Sequence, residues 1–174
     1  MVLYRFPDWK GEDWNSRTRH QEKYEIIKPY LGQDSIGAEI GVDQGGFGEL
    51  LLPHCKMLFL VDPWDDRDEV FHSVHKVYEN DINVRVERQR SLDFMSKLAD
   101  NSFDFFYIDA SHHYRNVLRD ISRGFQKLKP GGYLTGDDWI WESVSLALTH
   151  FSEAYGIELI PLESSQWVMP KPAT

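Results

Sequence analysis

From residue 37 onward, short apolar runs alternate with amphipathic stretches. Residues 37–40, 57–61, 84–89, 103–108 and 133–135 read as strands, and residues 46–52, 66–80, 92–98, 114–128 and 141–155 read as helices. Alternation of this kind predicts a parallel sheet with helices on both faces. The run 103–108 is apolar except for Asp104, the pattern of a central strand covered on both sides. Pro130-Gly131-Gly132 reads as a turn. Two last runs, 157–162 and 166–169, are separated by Glu163, Ser164 and Ser165 and read as an antiparallel hairpin at the sheet edge. The expected architecture is a doubly wound α/β domain of seven strands, mostly parallel. Ahead of it, Tyr24, Ile27, Tyr30 and Leu31 recur at three-to-four spacing, which predicts an amphipathic helix over 17–31 closed by Gly32. Residues 4–19 are polar and Trp-containing and are expected to form a loop or lid.

The 174 residues suffice for one well-buried core. A single domain over 1–174 is expected, with 1–32 as N-terminal loop and cap helix. The formal charge of −9 provides no net positive field to draw the chain to nucleic acid or to an anionic membrane. Arg85, Arg88 and Arg90 form a local basic cluster that reads as a solvated edge. Cys55 is the only cysteine, so neither an internal disulfide nor a multi-cysteine zinc site exists within one chain. Residues 1–10 lack a signal-peptide pattern and no run approaches the length of a membrane span. A cytoplasmic protein acting on a small molecule is expected, with a homo-oligomer left open.

In open doubly wound sheets, ligands bind beyond the carboxyl ends of the strands, near the point where strand order reverses. The first strand here runs into Glu39-Ile40-Gly41-Val42-Asp43-Gln44-Gly45. Glycines at 41 and 45 let the backbone turn tightly and approach a ligand that a β-carbon would block. The second strand delivers Asp62 to the same rim, 21 residues after Gly41, where a carboxylate can accept hydrogen bonds from both hydroxyls of a ribose. Singly, Glu39 and Asp62 also read as capping or solvated carboxylates. The loop reads G-x-x-x-G-G-x-G and lacks the G-x-G-x-x-G that seats a pyrophosphate, so a ligand without phosphates fits better.

On these residues the chain resembles the class I S-adenosylmethionine-dependent methyltransferases over nearly its whole length. Residues 39–45 are similar to that family's E-x-G-x-x-x-G loop, and Val61-Asp62-Pro63-Trp64 to its acidic second-strand end. The resemblance implies a Rossmann-like sheet in which Gly41 and Gly45 pass under the methionine portion of S-adenosylmethionine. It further implies that Glu39 supports the loop, Asp62 holds the ribose, and Ser91 and Leu92 contact adenine.

The fourth strand ends in Ile108-Asp109-Ala110-Ser111-His112-His113-Tyr114 and the fifth in Gly136-Asp137-Asp138-Trp139. Three carboxylates on neighbouring strand ends repel one another unless a cation neutralises them, which suggests a divalent metal, and oxygen donors favour Mg²⁺. The metal could lower the pKa of a bound hydroxyl, and His112 or His113 could take its proton. The plainer reading makes Asp137, Asp138 and the histidines helix caps. The stretch 108–114 resembles the I-D-G-x-H-x-Y signature of the subgroup that includes metal-dependent sugar O-methyltransferases of macrolide biosynthesis, with Ala110 where glycine is common. That resemblance implies Asp109, Asp137 and Asp138 as Mg²⁺ ligands, Asp109 also beside the cofactor, and His112 as the base. Trp9, Trp14, Trp64, Trp139 and Trp141 are candidate walls of an acceptor pocket. The expected activity is O-methylation of a sugar-like or polyol-like hydroxyl. A metal-dependent hydrolase and a non-catalytic cofactor-binding module are the alternatives.

Overall fold

The computed structural model describes residues 16–173. Helix α1 (Arg17–Ile27) starts on Ser16, whose side chain accepts a hydrogen bond from the Arg19 amide. The helix ends earlier than its apolar spacing predicts. Pro29 has no amide to continue the ladder, so a 3-10 turn over Lys28–Tyr30 replaces the last turn. Then follow β1 (Ser35–Ile40), α2 (Gly48–Leu51), β2 (Cys55–Asp62), α3 (Asp68–Tyr78), β3 (Val84–Arg88) and α4 (Ser91–Ser96). The chain closes with β4 (Phe103–Ile108), α5 (Tyr114–Lys127), β5 (Leu128–Gly136), α6 (Glu142–Tyr155), β6 (Ile160–Pro161) and β7 (Trp167–Pro170).

The seven strands form one sheet in the order β3-β2-β1-β4-β5-β7-β6. Pairings among the first five strands are parallel, while β7 runs antiparallel to both β5 and β6. This is the expected mostly parallel, doubly wound sheet with its C-terminal antiparallel hairpin. Strand order reverses between β1 and β4, so the ends of β1, β2, β4 and β5 share one rim around the switch point. Two apolar layers hold the sheet. Val117, Ile121, Leu148 and Phe151 from α5 and α6 pack on one face, and Ile27, Leu50, Val74 and Tyr78 from α1, α2 and α3 pack on the other.

The turn expected at Pro130-Gly131-Gly132 is corrected. Pro130-Gly131-Gly132 is not a turn before a short strand but an irregular part of β5, whose register jumps between Phe103↔Leu128 and Phe105↔Tyr133. Gly131 absorbs the extra residues at φ 81°, and its amide and the Gly132 carbonyl pair with the backbone of Lys171. Asp104, the one polar interruption of β4, accepts from Lys129 at 2.8 Å and from the Ile36 amide at 2.8 Å. Its carboxylate ties three strands together at the end opposite the site. Strand β6 is only two residues long, shorter than the run predicts. No described helix is long and apolar enough to cross a membrane.

Candidate active site

The loop after β1 is shaped from beneath by Asp62. Its Oδ2 accepts the Val42 and Asp43 amides at 3.0 and 3.1 Å, and its Oδ1 accepts the Trp64 amide at 2.8 Å. Gly41 and Gly45 both adopt left-handed conformations, φ 92° and 84°. Trp64 lies in the core and donates its indole N–H to the Asp43 carbonyl at 2.8 Å. It therefore braces the loop and does not wall a pocket. Two cavities meet at Gly41, Asp43 and Asp109. One, of about 530 Å³, is lined by Asp62, Ser91, Leu92 and Asp120. The other, of about 490 Å³, is lined by Lys23, Glu39, His112, Asp137, Asp138 and Trp141.

Glu39 is 2% exposed and its Oε2 has no hydrogen-bond partner. Burial, reinforced by Asp109 and Asp62, holds its carboxyl well above the usual range. A buried acceptor in that state favours a ligand that brings a donor or positive charge.

At the ends of β4 and β5 the three aspartates do different things. Asp137 is 5% exposed; its Oδ1 accepts from Gln166 at 2.7 Å and its Oδ2 is ion-paired with Lys23 of α1. Lys23 also reaches Asp109 Oδ2 at 3.3 Å. Asp138, left-handed at φ 67°, meets His112 Nε2 at 2.6 Å. The His112 ring stacks on Trp141 with centroids 5.5 Å apart and planes 11° apart. One donor atom from each of Asp109, His112 and Asp138 lies within 4.8 Å of the others. Burial raises all three aspartate carboxyls; at Asp109 the Lys23 ammonium opposes this, whereas Asp109 adds to it at Asp137 and Asp137 adds to it at Asp138. Burial alone would lower the Lys23 ammonium, but Asp109 and Asp137 outweigh it and hold it above its ordinary value.

A family model described as a methyltransferase domain matches residues 38–139, from the middle of β1 past the end of β5. The chain belongs to that methyltransferase family. The protein is a class I methyltransferase, and its fold supports that placement. It is similar to the N-methyltransferase NodS of Bradyrhizobium japonicum WM9 in complex with S-adenosyl-L-homocysteine, at 18% identity over 97% of this chain and 94% of that one, TM-score 0.69. It is also similar to the O-methyltransferase NovP, at 14% identity over 89% of this chain and 78% of that one, TM-score 0.65. Among curated sequences it matches the uncharacterized protein R132 of Acanthamoeba polyphaga mimivirus, 24% identical over 152 residues, 80% of this chain and 68% of that protein.

Within this methyltransferase, Glu39, Gly41, Gly45, Asp62, Ser91, Leu92, Asp109, His112, Asp137 and Asp138 all reach the two joined cavities. Trp141 lines the second cavity while 53% exposed, and Trp139 packs against the core. Trp9 and Trp14 lie outside the described residues. The arginines of the basic cluster are each engaged: Arg88 pairs with Asp68, Arg90 with Asp65 at 2.6 Å, and Arg85 donates to the carbonyls of Ile82 and Val84. Sequence reasoning missed Lys23, Gln166 and Tyr107, whose hydroxyl donates to Gln166 Oε1 at 2.9 Å. No local signal marks them; only a charged residue on the inward side of a predicted helix hinted at Lys23.

Asp120, on α5, was also missed. It accepts from Ser91 Oγ at 2.6 Å, and burial pushes its carboxyl up to about 6, against the lowering effect of that bond. Because the folded pKa is raised, ionisation costs the folded state nothing below the unfolded pKa near 4 and its full amount above about 6. Asp120→Asn is therefore expected to match wild type near pH 4 and to exceed it by about 3 kcal/mol at pH 7.5. Denaturant unfolding at both pH values checks this, and a pH-independent difference would contradict it.

Proposed function

We propose that this methyltransferase uses S-adenosylmethionine to methylate a hydroxyl of a small sugar-like or polyol-like molecule, with Mg²⁺ assisting. The observation that carries the reading is the pair of cavities joined over Gly41, with the unpartnered Glu39 Oε2 and the Asp109–His112–Asp138 group on the same one. S-adenosylmethionine, when bound, supplies the electrophilic methyl. Glu39 would accept a hydrogen bond from the ammonium end of the cofactor. Asp62 keeps the loop amides in place and would hold the ribose with its remaining lone pairs. Ser91, Leu92 and Asp120 line the adenine end.

Magnesium prefers oxygen, so Asp109 and Asp138 would hold it, and it would lower the pKa of the acceptor hydroxyl. His112 is the base. Its Nε2 is engaged by Asp138, while Nδ1 makes no hydrogen bond among the described residues, so Nδ1 takes the hydroxyl proton. Trp141 stacks behind that ring and fixes its plane.

Calorimetric titration of S-adenosylhomocysteine, with Mg²⁺ and with chelator, tests the cofactor. Asp62→Ala removes the acceptor of two loop amides, and affinity is expected to fall tenfold to hundredfold, equivalent to about 1.5–3 kcal/mol. A screen of hydroxylated small molecules for methyl transfer then tests the acceptor class. Absence of binding by the wild type under both metal conditions would sink the reading and bring a hydrolase use of the acidic rim to the front.

A further inference from the structure

Helix α1 buries two side chains, Ile27 and Lys23. Burying an ammonium is costly unless its charge is matched, and here the match comes from the reaction rim. The Lys23 side chain is 7% exposed and contacts both Asp109 and Asp137. Among the described residues no other lysine or arginine is ion-paired to either carboxylate. Gln166 holds the second oxygen of Asp137, so in this arrangement Asp137 has no free oxygen for an external ion, and Asp109 shares one of its own. The carboxylates that the sequence places together as one metal cage are split: Asp137 goes to Lys23, Asp138 goes to His112, and Asp109 stands between.

We propose that Lys23 is an internal counter-cation that competes with the divalent ion for Asp109 and Asp137, so that the metal affinity of this site is set by the cap helix. The inference rests on the metal part of the reading above. An ammonium within contact distance of a carboxylate neutralises part of the charge a metal needs, and it repels a divalent ion at the same oxygens. With Lys23 seated, the ion has Asp109 and Asp138; with Lys23 withdrawn, it gains Asp137 as a third ligand. A metal can therefore pull the cage together only by displacing Lys23, which loosens α1 from the rim.

The test titrates Mn²⁺, as a spectroscopic stand-in for Mg²⁺, into wild type, Lys23→Met, Lys23→Arg and the double variant Lys23→Met/Asp137→Asn. Binding is followed by the loss of the free-ion paramagnetic signal. Lys23→Met is expected to bind Mn²⁺ at least about tenfold more tightly than wild type, the effect of one like charge removed at short range. Lys23→Arg should stay at wild-type affinity, and the double variant should lose the gain. Equal or weaker binding by Lys23→Met, or a gain that survives Asp137→Asn, overturns the proposal. If Lys23→Met does not fold, hydrogen exchange of α1 in the wild type decides: Mn²⁺ should speed exchange over residues 17–27, and unchanged exchange overturns it. S-adenosylhomocysteine titrated in parallel separates the readings. If wild type and Lys23→Met bind that ligand but neither binds Mn²⁺, the inference and the metal assistance fall while the cofactor assignment stands. If the wild type binds Mn²⁺ but not that ligand, the cofactor assignment falls alone.

Discussion

Gly41→Ala is expected to abolish S-adenosylhomocysteine binding and to destabilise the fold by more than about 4 kcal/mol, the range in which single substitutions are exceptional. A β-carbon at residue 41 would lie 2.0 Å from the Asp109 carbonyl oxygen, 2.5 Å from its carbon and 2.8 Å from Ala110 Cα. All three are backbone atoms, so no rotamer change relieves the overlap. Relief requires β1 and β4 to part at the rim, breaking the 2.8 Å bond from the Asp109 amide to the Ile40 carbonyl and disturbing the 2.9 Å bond from the Gly41 amide to Val61. The control is Gly131→Ala. Gly131 is also left-handed, at φ 81°, but a β-carbon there meets nothing within 4 Å, so only the conformational penalty of about 1–2 kcal/mol applies. Thermal melts and ligand titrations of the two variants separate close approach from backbone preference. Comparable losses in both would contradict the account.

Asp137→Asn and Asp138→Asn are adjacent, isosteric changes with very different expected outcomes. Asp137→Asn removes the closer partner of a buried ammonium and should cost about 3–5 kcal/mol, with Tm falling by roughly 10 °C. Asp138 meets an imidazole that is 45% exposed, an interaction worth less than about 1 kcal/mol to stability, and asparagine tolerates its left-handed backbone. Its loss should leave Tm nearly unchanged while, under the proposed mechanism, removing methyl transfer, because His112 would lose its orienting partner and a bound metal would lose one of its two carboxylates. Differential scanning calorimetry in chelator reads the first effect and a methyl-transfer assay the second. Equal melting temperatures for the two variants would mean that Asp137 is not committed to Lys23.

Much of the fold is legible because its signals are local. The run 103–108 is found at its predicted bounds as β4, and each strand–helix alternation from β1 to α6 is present. The β5 boundary failed because a neighbouring segment supplied the hydrogen bonds. Residues 129–132 continue β5 because Lys171, far along the chain, pairs with Gly131 and Gly132, and no window around Pro130 contains that partner. The tryptophans were ambiguous for a related reason. Trp64 and Trp141 look alike in sequence, yet one has its indole nitrogen bound to the Asp43 carbonyl in the core and the other lies open on His112.

Local sequence patterns are enough to establish that the strands pair in parallel, that Gly41 and Asp62 share a rim, and that Asp109, Asp137 and Asp138 arrive there together. These follow from periodicity, from glycine's conformational range, and from the rule that the carboxyl ends of parallel strands face one way. How the charges at that rim are divided depends on the packed chain. Lys23 stands 86 residues from Asp109, on the inward side of a helix whose local sequence contains no partner for its charge, and Gln166 comes from the edge hairpin on the other side. Which carboxylate loses its hydration to which partner depends on distances of a few ångströms between side chains remote in the chain. Coulombic and desolvation energies change by several kcal/mol over that range, and nothing in the local sequence encodes them.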